Sequence, residues 1–337
     1  MIKERSLVIW LSLCAILVYA IIILGGYTRL THSGLSIVEW KPVSGILMPI
    51  GEDNWQEEFY RYQQFPEYQQ VNQGMSIQEF KQIFIVEFLH RLLGRLIGLV
   101  FLIPFLYFYF TKNKFFYKEI RYFTFIAALI GLQGGVGWLM VQSGLIDRPN
   151  VSQYRLAIHL MMACTILILL IWKIIPARAS SNIVEGGGSK KLLNYGVFSL
   201  GLLLLQITSG AFVAGLHAGL VYNSFPLMDG ALIPDGLFIM KPWYINIFEN
   251  VTLVQFIHRV LGVFNFINLL AYSYKIFTLE SGKRLAALLS ICITTQLALG
   301  ILTLVLQVPL VMALLHQAMA IILIIIMIAS LKMLYRE

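Results

Sequence analysis

Hydrophobic residues in this chain come in long unbroken runs, not at the spacing of a one-sided surface helix or strand. Eight stretches, near 7–26, 86–110, 122–142, 156–175, 193–215, 251–274, 285–306 and 310–331, carry almost no charge. Each is long enough to cross roughly 30 Å of hydrocarbon as a helix. The pattern predicts an all-α integral membrane protein with eight transmembrane helices. The first run follows Lys3 and Arg5, as a signal peptide would. It is too long for one and lacks a small-residue cleavage site, so it reads as a retained span.

Composition agrees with this picture. With 58% of its 337 residues hydrophobic and 12% charged, the chain has too little polar surface for a soluble globule. A net charge of +8 invites a nucleic-acid reading, and the placement of the charges argues against it. Of the 25 Lys and Arg residues, 15 lie at the termini or in one alternating set of loops. Seven lie in the opposite set, and Arg91, Arg95 and Arg259 stand at span starts. An excess of Lys and Arg marks the inner side, so both termini are expected there and membrane lipid is the expected surround. Cys14, Cys164 and Cys292 fall inside apolar runs without a CxxC spacing, which indicates neither a disulfide framework nor a thiolate zinc site.

The two halves of the sequence resemble each other. VEFLHRLLGR (86–95) matches VQFIHRVLGV (254–263), and RLAIHLMMA (155–163) matches MALLHQAMA (312–320). The segments 130–145 and 294–310 pair Gln133 with Gln296, and 25–36 loosely echoes 209–220, pairing His32 with His217. The expected architecture is therefore two tandem pseudo-symmetric four-helix bundles, 1–175 and 193–337. They would be joined by an inner-side linker at 176–192 that is rich in Pro, Ser and Gly. With four spans per half, the repeats run parallel and equivalent residues share a depth.

That symmetry gives the histidines their meaning. His90, His159, His258 and His316 fall within the first turns of their predicted spans, and His32 and His217 lie just beyond spans 1 and 5. An imidazole in hydrocarbon needs a partner and marks a functional site by default. No Asp or Glu lies deep in a span, which argues against a di-iron carboxylate or hard-cation site. Haem fits better: His90 with His159, and His258 with His316, are pairs from different helices at one depth that could supply both axial positions on iron. Arg91 and Arg259 follow a histidine in each half. They are candidates for the porphyrin carboxylates and equally read as interfacial snorkelling arginines. The loops of His32 and His217 are polar, and their roles are left open.

The halves differ at one telling position. Glu87 stands three residues before His90, on the same helical face, where the second half has Gln255 before His258. A carboxylate at a partly desolvated site can take a proton or stabilise developing positive charge, which electron transfer alone does not need. The plain alternative is an anion favoured by a helix N-terminus. The first outer loop, 27–85, is long and rich in aromatics and amides, and is either a cap over the first-half site or a solvated loop.

GGYTRLTHSGLSIVEWKPVSGILMP (25–49), the PEY…N…M…EFK stretch (66–81), EFLHRLLGR (87–95) and FIHRVLG (256–262), with His159 and His316, together resemble the haem A synthase family. The resemblance is to the form found in mitochondria and related proteobacteria, and it covers nearly the whole chain. It implies an oxidoreductase that converts a methyl group of haem O to the formyl group of haem A, by successive hydroxylation to a gem-diol that loses water, for cytochrome oxidase assembly. It further implies haem O as substrate between His90 and His159, a resident haem b on His258 and His316, and a catalytic contribution from Glu87. Other family members carry a cysteine pair in the first outer loop and this chain does not, so thiol-linked electron exchange there is excluded. The expected location is the inner (plasma) membrane of a bacterium, with both termini cytoplasmic. Haem O synthase, an unidentified electron acceptor and a second copy of the chain are candidate partners. The competing reading is a non-catalytic dihaem b-type cytochrome.

Overall fold

The computed structural model describes residues 2–41, 44–146, 148–176 and 187–335, and these contain twelve α-helices. They are α1 (Ile2–Leu30), α2 (Glu52–Gln63), α3 (Pro66–Gln70), α4 (Ile77–Phe110), α5 (Lys114–Lys118), α6 (Ile120–Gln142), α7 (Gln153–Ile174), α8 (Gly187–Gly215), α9 (Asn246–Glu249), α10 (Val251–Phe277), α11 (Lys283–Val305) and α12 (Leu310–Leu334). Eight of them, α1, α4, α6, α7, α8, α10, α11 and α12, are long and apolar enough to span a bilayer, as the eight charge-free runs predict. A helix satisfies its own backbone polar groups, which hydrocarbon cannot do. The chain divides into two compact units, Met1–Leu167 and Ile168–Glu337, with the boundary inside α7. The expected linker at 176–192 falls largely on residues 177–186, outside the described residues.

One span differs instructively from its predicted bounds. α4 begins at Ile77, nine residues before the apolar run, so His90 sits more than three turns into its helix and not in a first turn. Gln78, Glu79, Lys81 and Gln82 hide this extension from a search for uncharged runs. Two physical features sustain it. A reciprocal capping box joins Ser76 and Glu79, and α2 packs against the extension through Phe59, Tyr62, Phe80, Phe84 and Phe88. Tyr62 stacks on Phe80 at 5.3 Å and Trp55 meets Phe84 edge-on at 5.1 Å. The long segment between α1 and α4 therefore carries a folded helical cap on the start of α4.

Within unit 1, α1 packs along α4, and Trp10 donates to the Val100 carbonyl at 3.0 Å amid Phe101, Phe108 and Phe123. Unit 2 is tied together by polar contacts between helices, which carry specificity where the surround is as apolar as the side chains. Asn268 donates to Ser199 Oγ at 3.0 Å, Tyr272 and Ser330 share a hydrogen bond at 3.0 Å, and Ser273 donates to the Ala286 carbonyl at 2.7 Å. His32 and His217 both adopt left-handed backbone, with φ of 50° and 52°, just beyond α1 and α8. The two positions that the sequence pairs loosely thus end their helices in the same way.

Candidate functional site: two histidine pairs on glycine

Each of the four span histidines rests on a glycine of a neighbouring helix. A Cβ added to Gly25 in α1 would lie 3.1 Å from His90 Cε1, and one on Gly137 in α6 would lie 2.9 Å from His159 Cε1. In unit 2, Gly210 of α8 stands to His258 at 3.1 Å and Gly300 of α11 to His316 at 2.8 Å. In every case Cε1 is the nearest ring atom, Nδ1 follows, and Nε2 is the nitrogen farther from the glycine. The backbone of one helix thus seats the ring of the next, closer at Gly137 and Gly300 than a side chain allows and tight at Gly25 and Gly210. Within each unit the two histidines are near enough for their charges to interact. The Nδ1 atoms of His90, His159 and His316 are buried with no hydrogen-bond partner.

Glutamines complete three of the four seats. Gln133, Gln206 and Gln296 each stand four residues before the receiving glycine. Gln133 donates to the His159 carbonyl at 3.0 Å and Gln206 to the His258 carbonyl at 3.1 Å. Gln296 reaches the His316 ring at 3.5 Å. The fourth seat has Ile21 in that place. The sequence pairs Gln133 with Gln296, but a glycine in a membrane helix reads as a packing residue. The recurring Gln-x-x-x-Gly spacing was the signal available.

The residues flanking the histidines fasten the loops that follow α1 and α8. Glu87 is 2% exposed. Its Oε2 accepts from Ser36 Oγ at 2.7 Å and from the Ile37 N–H at 2.8 Å, and its Oε1 accepts from Arg91 at 2.7 and 3.1 Å. Arg91 also donates to the carbonyls of Ile37 and Glu39, and Arg95 to that of Lys41. Charge-assisted bonds of this kind are among the stronger ones. The helix-terminus alternative for Glu87 does not describe it, because it lies well inside α4. In unit 2 the neutral Gln255 donates to the Tyr222 carbonyl at 3.0 Å. Arg259 donates to the carbonyls of Tyr222, Ser224 and Leu227, while its Nε is buried and unpartnered. The same two helix positions therefore clamp a loop in both units, with a carboxylate paired to the arginine in the first and a neutral amide beside the arginine in the second.

The cap holds a carboxyl group that the sequence did not single out. Glu67 in α3 is 3% exposed and accepts from Tyr62 Oη at 3.1 Å, while Asn72 donates to the same hydroxyl at 2.7 Å. Burial pushes Glu67 up to about 8; nearby Glu87 adds to this, and the Tyr62 bond and Arg29 act against it. It resembles any loop glutamate in sequence, and only the folded cap buries it. His32 is pushed below the ordinary imidazole value by burial and by Arg29.

The fold and these sites define a polytopic, all-helical membrane protein that presents imidazoles in pairs. Residues 8–328 match the family described as "Cytochrome oxidase assembly protein", and the chain belongs to it. A protein of Nitrosospira multiformis named "Heme A synthase" is 46% identical, the match covering 95% of this chain and 91% of that one. Proteins of the same name from Rickettsia bellii and a Chelativorans species are 44% and 48% identical. They match 95% and 93% of this chain over 96% and 87% of their own lengths.

Proposed function

We propose that this protein is a haem A synthase, oxidising a methyl group of haem O to the formyl group of haem A in a bacterial inner membrane, with both termini cytoplasmic. Family membership and the names of the relatives support the activity. The observation that carries the division of labour is the buried, ion-paired Glu87 beside His90, set against the neutral Gln255 beside His258. In this reading His90 and His159 bind the substrate haem O, and His258 and His316 hold a resident haem b.

The residues present fit such groups. Each half offers two imidazoles seated by glycine through Cε1 and Nδ1, so that Nε2, the ring nitrogen farther from the seat, is the one that haem iron would take. A haem b on His258 and His316 would supply one-electron redox chemistry. Arg91 and Arg259 bring positive charge to the rim of each pair, where porphyrin carboxylates would lie, and the unpartnered Arg259 Nε is one donor for them. Glu87, with all its bonds made to Arg91 and to residues 36 and 37, acts by fixed negative charge opposite positive charge developing on the substrate. The same bonds hold the cap closed over that half, keeping water from the reacting methyl group. Haem O synthase and a separate electron acceptor are the partners this chemistry calls for.

The test is Glu87→Gln. The variant is expected to keep haem bound while cells accumulate haem O at the expense of haem A, read by extraction and chromatography. Unchanged haem A would favour the non-catalytic dihaem cytochrome. A purified protein lacking a reducible low-spin b-type spectrum would point to a carrier without redox chemistry.

A further inference from the structure

We infer that Gln206 and Ser209, set against Ile21 and Leu24 at the same positions of the other half, make the His258 seat release porphyrin more slowly than the His90 seat. The inference rests on the histidine assignment of the preceding subsection.

The two seats are equivalent in geometry. Gly25 meets His90 and Gly210 meets His258 at the same 3.1 Å. One turn beyond each histidine, a Cβ on Gly94 would meet Ile21 Cδ1 at 3.5 Å, and one on Gly262 would meet Gln206 Nε2 at 3.4 Å. Ile21 therefore occupies the place of Gln206. Counting along α1 and α8, Leu24 likewise stands where Ser209 does, each immediately before its glycine.

The chemistry of the seats is opposite. Ser209 Oγ lies 2.8 Å from His258 Nδ1 and donates its own proton to the Gln206 carbonyl at 2.8 Å. Gln206 Nε2 also lies 3.1 Å from Nδ1 and 3.4 Å from Nε2. A ring that gives Nε2 to a metal carries its hydrogen on Nδ1, and Ser209 Oγ, with its own proton on the Gln206 carbonyl, is then placed to accept it. Gln206 also anchors the main chain of His258. His90 has neither partner: Ile21 and Leu24 occupy the corresponding positions of α1, and its Nδ1 is buried without a hydrogen bond. Val136 and Leu299 stand at the serine position beside His159 and His316, so of the four seats only that of His258 has the hydroxyl. A partner on the outer nitrogen fixes ring and tautomer and raises ligand basicity, and its loss typically costs 10–100-fold in metal affinity. A substrate porphyrin has to enter and leave once per turnover, whereas a cofactor has to stay. The polar seat falls in the half expected to hold the cofactor.

The test uses the full-length protein loaded with iron protoporphyrin IX and mixed with excess apomyoglobin, with transfer followed by absorbance. Two phases are expected, the fast one missing in His90→Ala and the slow one missing in His258→Ala. Ser209→Ala should speed the slow phase about 10-fold and leave the fast phase alone, while Ser209→Thr, which restores the hydroxyl, should keep it slow. Ile21→Gln with Leu24→Ser should slow the fast phase by a similar factor. A slow phase indifferent to Ser209→Ala, or both phases changing together, would overturn the inference while leaving the histidine assignment standing. Full haem retention in both alanine variants of the histidines would overturn the assignment, and the inference with it.

Discussion

A histidine ring seated on backbone has no room for a methyl group, so the glycines are the most sensitive residues around it. An alanine at Gly137 or Gly300 would place Cβ 2.9 or 2.8 Å from a ring carbon, closer than real contacts allow, and the imidazole has to move. Alanine is otherwise the better helix former by about 1 kcal/mol. Gly300→Ala is therefore expected to cost haem in the second half, measured as pyridine haemochrome per protein, while helicity by circular dichroism stays unchanged. Glu67 gives a second prediction. Its carboxyl, held up to about 8 by burial, is more easily protonated in the folded cap than in an unfolded chain. Its contribution to stability is full below the ordinary glutamate range and is lost as pH rises through about 8. The groups facing it are Tyr62, Glu87 and Arg29. Between pH 7 and 9 the protection factors of amides across 55–75, which remove the intrinsic base catalysis of exchange, should fall, and Glu67→Gln should abolish that fall. The histidines and Glu87 were legible in the sequence because imidazoles and carboxylates are conspicuous in apolar helices. Gly137 and Glu67 were not, because a glycine in a membrane helix and a glutamate in a polar loop acquire their roles from neighbours far away in the chain.

Elements show the same division. The eight spans could be read from length and charge alone, since hydrocarbon leaves a lone segment few choices but a helix. The nine-residue extension of α4 could not, because its polar residues look like loop until α2 covers its apolar side. Phe80 carries that junction: it is fully buried between Phe59, Tyr62 and Phe84. Phe80→Ala should cost about 3–5 kcal/mol locally, enough to undock the cap, and protease sensitivity of 51–76 should rise while the b-type spectrum of the second half persists. The paired left-handed ends of α1 and α8 make a different demand. At φ of 52° a β-branched side chain is strained by about 1–2 kcal/mol, so His217→Val should lower thermal stability where His217→Gly does not. A comparable haem content in the glycine variant would mark His217 as a helix terminator, resolving a role the polar loop sequence left open.

At the scale of the whole molecule, duplication supplied two like sites, and what distinguishes them lies three residues before the shared histidines. Swapping the clamp residues tests whether the ionic clamp belongs to one half alone. In the second unit Gln255 donates to the Tyr222 carbonyl, and Arg259 is already shared among three carbonyls. Gln255→Glu removes that donor and sets a carboxylate against the carbonyl, so the loop that follows α8 should loosen unless Arg259 turns towards the new charge. In the first unit Glu87→Gln leaves Arg91 without its ion pair and removes the fixed charge from the reacting half. If negative charge is needed only beside the substrate, the double swap should fail to make haem A, and the single Gln255→Glu variant should retain synthesis as far as its haem b content allows. The measurement is the ratio of haem A to haem O in cell extracts, normalised to b-type haem in the purified protein. Synthesis surviving in the double swap would mean that either half can carry the reaction, and the assignment of substrate to His90 and His159 would have to be abandoned.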